Sequence, residues 1–299
     1  MSLAPYPKLI EPKVTRALMD ELGCTTKKRF GQNFLIDERV LSRIIEGAGI
    51  TKDDTVLEIG PGIGTMTQAL SEAAGTVIAV EIDKDLIPVL GRTLSGCENV
   101  TVIHKDVLAM DLLTLDGLFS SERNGKYKVV ANLPYYITTP ILMKLLESGA
   151  PIESITVMVQ KEVAGRMQAP PGGKDYGALS LAVQYYCETE IIANVPQNSF
   201  IPRPNVDSAV IRLRRYETPP VVPRDREYMF TLIRQAFSQR RKTLVNTLKS
   251  DPKLGLSRER IEETLREAGL PPDIRGERLS LSEFSFLSDR LRKNPPAEI

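Results

Sequence analysis

Between residues 55 and 159 the sequence switches repeatedly between two hydrophobic periods, and few folds tolerate that pattern. Thr55 to Ile59, Thr76 to Ile82, Val100 to His104, Tyr127 to Ala131 and Ser154 to Val159 are short apolar runs of strand length. Thr65 to Ala74, Lys84 to Leu94 and Thr139 to Ser148 carry apolar residues at three-to-four spacing and read as helices. Strands of near-continuous apolar character that alternate with helices predict an α/β fold, a parallel sheet with helices on both faces. Residues 11–22 and 38–48 add two helices ahead of it.

The pattern changes later. Ala178 to Tyr186 reads as a helix. Glu190 to Val195 and Ser208 to Leu213 read as strands around a proline-rich turn, suited to an antiparallel edge on the sheet. Thr218-Pro219-Pro220-Val221-Val222-Pro223 reads as a linker. Beyond it, Tyr228 to Leu248, Arg258 to Ala268 and Ser282 to Leu291 are expected to be amphipathic helices, with no strand signal. The expected division is a domain of residues 1–217 and a small all-helical domain of residues 218–299.

At 299 residues and 42% hydrophobic content the chain supports a sizeable core. No apolar run approaches the length of a membrane span, and Met1 to Ile10 lacks the apolar core of a secretory signal. Cys24, Cys97 and Cys187 are odd in number and far apart, which argues against a disulfide framework or a zinc site and suits a reducing cytoplasm. With His104 as the single histidine, a His-based metal site or Ser-His triad is excluded, and no metal is expected. Residues 218–299 hold sixteen Lys and Arg against twelve Asp and Glu, a net charge of +4, so the first 217 residues carry −3 of the chain's +1. Basic clusters occur at Lys27-Lys28-Arg29, Arg212 with Arg214-Arg215, and Arg240-Arg241-Lys242. Each is either a solvated face or a phosphate contact.

Glu58-Ile59-Gly60-Pro61-Gly62-Ile63-Gly64 falls where the first strand turns into its helix. Glycines there allow a tight turn and the close approach of a ligand. The third glycine comes one residue too early for the dinucleotide fingerprint G-x-G-x-x-G, which favours a smaller adenosyl ligand over a pyrophosphate or a plain turn. Glu81 closes the second strand, where a carboxylate accepts ribose hydroxyls, and Asp106 follows the third, where it is placed for an adenine amine.

Asn132-Leu133-Pro134-Tyr135 ends the fourth strand with an amide, a rigid turn and an aromatic face. This combination suits chemistry on the exocyclic amine of an extruded base, with Tyr135 stacked on the base. The amine lone pair is delocalised into the ring. Acceptors at the Asn132 side chain and the Leu133 carbonyl would draw it toward tetrahedral geometry, leaving the rest to alignment. Phe200, in the stiff loop Phe200-Ile201-Pro202-Arg203-Pro204, is expected to cover the opposite face of the base. A strand-ending turn and a loop anchor are the structural alternatives for the two motifs.

In their order along nearly the whole chain, four motifs resemble the ribosomal RNA adenine dimethyltransferase family: Lys28-Arg29-Phe30-Gly31-Gln32-Asn33-Phe34-Leu35, the glycine turn, Asn132-Leu133-Pro134-Tyr135 and Phe200-Ile201-Pro202-Arg203-Pro204. The resemblance implies a Rossmann-like class I methyltransferase sheet in residues 1–217 and an RNA-binding tail in residues 218–299. It implies S-adenosylmethionine as donor, held by Asn33, Leu35, Gly60, Glu81, Asp106 and Asn132. It implies dimethylation at N6 of two adjacent adenosines in the 3′-terminal hairpin of small-subunit ribosomal RNA. Asn132, Leu133, Pro134, Tyr135 and Phe200 would form the catalytic site, and Lys28, Arg29, Arg203, Arg234, Arg240, Arg241 and Lys242 would contact RNA. Asn in place of Asp at the head of the catalytic motif suits a site that must also accept an amine already methylated. The implied partner is the small ribosomal subunit, met by a cytoplasmic monomer with no membrane or metal involved. A macrolide-resistance methylase of large-subunit RNA and a non-catalytic assembly factor are the alternatives; the long tail and the Phe-Ile-Pro-Arg-Pro loop favour the first reading. If the basic clusters neutralise phosphates, affinity for ribosomal RNA falls steeply as salt rises; a flat titration returns them to solvated faces.

Overall fold

The computed structural model describes residues 6–21, 33–115, 118 and 125–292. The chain forms two compact units, Met1–Ala164 with Thr189–Arg215, and Gly165–Glu188 with Tyr216–Ile299.

The first unit begins with helix α1 (Pro12–Glu21), the two-residue strand β1 (Phe34–Leu35) and helix α2 (Glu38–Ala48). Asp37 caps α2 by accepting from the Arg39 and Val40 amides at 3.1 and 3.4 Å. The chain then runs through β2 (Thr55–Ile59), α3 (Thr65–Ala73), β3 (Thr76–Glu81), α4 (Ile87–Thr93), β4 (Val100–His104), β5 (Tyr127–Asn132), α5 (Thr138–Glu147), β6 (Ile152–Gln160) and α6 (Lys161–Gln168), which crosses into the second unit, then α7 (Ala178–Tyr186) of that unit, and returns to the first through β7 (Cys187–Val195), β8 (Phe200–Ile201) and β9 (Ser208–Arg215). One sheet has the order β4-β3-β2-β5-β6-β9-β7. Neighbours from β4 to β6 are parallel, and β9 is antiparallel to β6, with Gln160 opposite Ser208. Val56, Leu57, Val77, Ala79, Val129 and Val130 are fully buried, as strands covered on both faces require. Strand order reverses between β2 and β5, and in a doubly wound sheet the crevice beyond the carboxyl ends at that reversal is where ligands bind.

The sequence carried no signal for the pairing of β1 with β8, which is antiparallel with Phe34 opposite Ile201 and Leu35 opposite Phe200. Nearby, the Ile36 amide donates to the Ser199 carbonyl at 2.9 Å and the Ser199 hydroxyl donates to Asp37 at 2.8 Å. These bonds fasten the segment leading into α2 to the proline-rich loop. Helix α6, which begins directly at the end of β6, likewise has no clear signal in the sequence.

The second unit contains α7 together with α8 (Arg226–Ala236), α9 (Leu244–Lys249), α10 (Arg258–Glu267) and α11 (Leu281–Leu291). Tyr185 meets the Phe230 ring edge-on and Tyr186 stacks on it, at centroid distances of 5.2 and 5.8 Å. Tyr176 donates its hydroxyl to the Leu279 carbonyl at 2.8 Å. The helix expected over Tyr228 to Leu248 is two helices, because the six residues Ser238 to Thr243 are all polar and offer nothing to bury over more than a turn. Thr243 restarts the helix by accepting from the Asn246 amide at 3.4 Å. The second unit also takes in Gly165–Glu188, which the expected division at residue 217 places in the first domain.

Near the start of β5, Lys128 is buried within the sheet. Its Nζ donates to the Gly49 carbonyl at 2.6 Å and to Asp54 at 3.0 Å. Lys128→Met removes both bonds, one from the carbonyl of the exposed Gly49 and one from the partly buried Asp54 carboxylate. Fully buried pairs lose about 3–5 kcal/mol in this way, and the partial exposure of Asp54 lowers the expected cost to about 1–3 kcal/mol. Chemical denaturation of the variant measures it.

Candidate active site

A pocket opens at the carboxyl ends of β2, β3, β5 and β6, lined by the glycine turn, Glu81, Asp106, the Asn132–Tyr135 corner and residues 33–35. Gly60, Gly62 and Gly64 all have positive φ, at 70°, 61° and 98°. At Gly62 an added Cβ would lie 3.1 Å from the Phe34 ring, and at Gly64 it would lie 3.1 and 3.2 Å from Leu94 and Thr93. Both conformation and space therefore require glycine at these two positions.

Each oxygen of the buried Glu81 carboxylate accepts one backbone amide, from Gly62 at 3.2 Å and Asp83 at 2.8 Å. The carboxylate retains acceptor capacity for a ligand. Burial raises the Glu81 carboxyl above its usual range, the charge of Asp83 adds to that shift, and the backbone amides of Asp83, Gly62 and Ile82 oppose it. Asp106 is exposed, and its Oδ1 accepts from the Leu108 amide at 2.9 Å.

Asn132 Nδ2 donates to the Asn33 carbonyl at 3.0 Å. A carbonyl only accepts, so the amide nitrogen must face Asn33, and this leaves Oδ1 as the acceptor on the other side. The Leu133 amide donates to the Met158 carbonyl at 3.2 Å, while Ile137 and Thr138 both donate to the Pro134 carbonyl, at 3.2 and 3.0 Å. The corner is thus held from both sides. Tyr135 is half-buried, and its hydroxyl shares a 2.7 Å hydrogen bond with Ser208 at the start of β9.

Phe200 departs from expectation. Its ring is 2% exposed and packs in the core with Leu35, Ile44, Val130 and Met158. Pairing with Leu35 turns the side chain into the core, away from the pocket mouth. Leu35 itself is buried yet lines the pocket. Arg203 is exposed on the loop that follows. Lys28 and Arg29 lie outside the described residues. Arg212 and Arg215 are engaged structurally, on Gly47 and Glu190 and on the Leu146 carbonyl respectively. In the second unit Arg240 donates to the Tyr176 carbonyl and Arg234 to Thr231, whereas Arg241 and Lys242 are exposed on the turn between α8 and α9.

Glu58, at the head of the glycine turn, belongs to the pocket although no motif role marks it. It is 0% exposed, lines the pocket, and has no hydrogen-bond partner on either carboxylate oxygen. Burial pushes its carboxyl up to about 8; the nearby Thr67 hydroxyl, which falls short of normal hydrogen-bond geometry, opposes that shift, and the negative charge of Glu81 adds to it. A charged residue inside the apolar strand Val56-Leu57-Glu58-Ile59 was the available signal.

A doubly wound sheet with a glycine turn after its first strand, an acid closing the next and an amide-proline-aromatic corner defines a class I methyltransferase. A profile of the ribosomal RNA adenine dimethylase family matches residues 23–266. The chain belongs to that family. It is 56% identical over 281 residues to the ribosomal RNA small subunit methyltransferase A of Lachnoclostridium phytofermentans, covering 93% of this chain and 96% of that one. Among solved structures, a dimethyladenosine transferase from Plasmodium falciparum superimposes with a TM-score of 0.67 at 27% identity, over 85% of this chain and 95% of that one. The 23S rRNA methyltransferase ErmE gives 0.62 at 30% identity, over 87% and 99%.

S-adenosylmethionine is the cofactor of this class, and the residues present fit it: Gly60 with open space where a Cβ would stand in the pocket, acceptor capacity on Glu81, and a buried carboxyl with unsatisfied oxygens at the pocket wall. Because Glu58 holds its proton more tightly folded than unfolded, cofactor-free protein loses stability as pH rises from the usual carboxylate range to about 8, and then levels off. Glu58→Gln, neutral at every pH, is expected to flatten that decline and to melt above the parent at pH 8. Parallel melting curves across pH 5–8 would show that Glu58 is ionised in the fold.

Proposed function

We propose that this chain transfers methyl groups from S-adenosylmethionine to N6 of two adjacent adenosines in the 3′-terminal hairpin of small-subunit ribosomal RNA, two to each. The observation that carries this reading is the orientation of Asn132, whose amide nitrogen is tied to Asn33 and whose oxygen is left to accept. When bound, the cofactor supplies an electrophilic methyl on a positively charged sulfur. Asn33 and Leu35 would line its methionine side, Gly60 would supply the loop, Glu81 would hold its ribose and Asp106 its adenine, and Asn132 would touch both the donor and the target amine.

The chain's own part in the chemistry is positioning and polarisation. The Asn132 oxygen and the Leu133 carbonyl accept hydrogens from the amine and concentrate its lone pair on nitrogen. The buried Leu133 and the engaged Pro134 carbonyl make the corner rigid, so these acceptors do not drift. Tyr135, anchored through Ser208, offers its ring to the extruded base. A neutral amide accepts from an amine with two hydrogens or with one, which suits successive transfers to one nitrogen. Arg203 in the first unit, and Arg241 and Lys242 in the second, present free cations for phosphates, with Lys28 and Arg29 as further candidates. We place the chain, acting as a monomer, in the ribosome-containing compartment of the cell, the cytoplasm.

Small-subunit specificity is favoured over a large-subunit resistance activity by 56% identity to a small-subunit enzyme against 30% to ErmE. An assembly factor without turnover would have no need of the intact corner. Labelled S-adenosylmethionine, offered small subunits lacking the modification with large subunits alongside, tests the proposal. Dimethyladenosine in the small subunit alone is expected, and label in the large subunit alone would overturn the assignment. Asn132→Ala is expected to lower kcat by about 100-fold or more, as loss of a single essential polar group does elsewhere, with the fold retained and cofactor affinity reduced far less than kcat. Steady-state rates and calorimetric titration of the cofactor separate the two effects.

A further inference from the structure

Tyr136 is an aromatic residue to which the fold assigns no packing role. It lines the pocket yet is 63% exposed. Its neighbour Tyr135 is half-buried with its hydroxyl committed to Ser208, and Phe200 is in the core. Of the three rings, Tyr136 alone stands largely in water, between the end of β5 and the first turn of α5. Leaving that much apolar ring in solvent gains nothing for folding. The same carboxyl edge of the sheet carries exposed Lys161 at the end of β6 and exposed Arg203 and Val206 ahead of β9. Aromatic faces interspersed with cations are how proteins hold unpaired nucleotides: rings stack on bases and charges meet phosphates.

A base drawn into the pocket remains covalently tied to its neighbours. Extrusion also unstacks the adjacent base and exposes its face at the pocket mouth. Resting on the adenine-methylating function proposed above, we infer that Tyr136 is the stacking platform for the nucleotide next to the target adenosine. The chain then grips two consecutive bases, one inside the pocket and one on its rim. Where two adjacent adenosines are both substrates, the rim position holds one while the other reacts.

The test compares Tyr136→Ala, Tyr136→Phe and Tyr136→Trp on small subunits lacking the modification. Base–aromatic stacking is worth about 1–3 kcal/mol, so Tyr136→Ala is expected to raise KM for the subunit by about 5- to 100-fold with kcat within about twofold. Both aromatic variants are expected to restore KM, which a merely structural role for the hydroxyl would not allow. The chain contains no tryptophan, so Tyr136→Trp introduces a single indole. Its emission is expected to be quenched by a single-stranded oligoribonucleotide with two adjacent adenosines, and not by S-adenosylmethionine alone. An unchanged KM in Tyr136→Ala, a loss confined to kcat, or an indole indifferent to saturating RNA would each overturn the platform. If the parent protein itself fails to methylate the subunits, the proposed function fails, and the indole titration still decides whether the ring meets RNA.

Discussion

The hydrogen bond from Asn132 to the Asn33 carbonyl links positions ninety-nine residues apart, and the proposed chemistry depends on it. A free asparagine amide offers either end to a ligand. Here the main chain of the segment ahead of α2 fixes which end faces outward. That segment is itself fixed by the pairing of β1 with β8 and by the Asp37–Ser199 contact. The bonding potential of one side chain is therefore set by contacts among three separated stretches: residues 33–37, the end of β5, and the loop around residue 200.

The neighbouring acids show how environment differentiates similar groups. Glu58 and Glu81 come from adjacent parallel strands, and both are buried. Glu81 receives two backbone amides and keeps acceptor capacity, whereas Glu58 receives none and is driven toward its neutral form. Burial is the main reason that Glu58 favours its neutral form, and the charge of Glu81 adds a smaller push in the same direction.

Local signals in the sequence carried most of the sheet. Each parallel strand is an apolar run bounded by turn residues, and β2 and β4 begin and end where that pattern places them. The pocket's glycine turn, Glu81, Asp106 and Asn132 were legible for the same reason, since each sits at or just beyond a strand end. What escaped was non-local. Two-residue strands such as β1 and β8 have no period to detect. Whether the Phe200 ring faces a ligand or the core depends on its partner strand, and the sequence does not name that partner. The basic pair Arg212 and Arg215 resembles a phosphate contact until Glu190 and the backbone carbonyls they bind are known. The break between α8 and α9 was visible in the polar run Ser238 to Thr243, but flanking apolar periodicity obscured it.

The second unit is assembled from two stretches of chain separated by twenty-seven residues of the first, Thr189–Arg215. Tyr185 and Tyr186 arrive in the earlier stretch and Phe230 in the later one. During synthesis those tyrosines therefore emerge well before their partner ring exists. The tail is likewise not a detachable cassette. Exchanging residues after Arg215 between relatives would set an old α7 against a new α8, so the two stretches are constrained to change together, and recombination within the family is expected to respect both boundaries or neither.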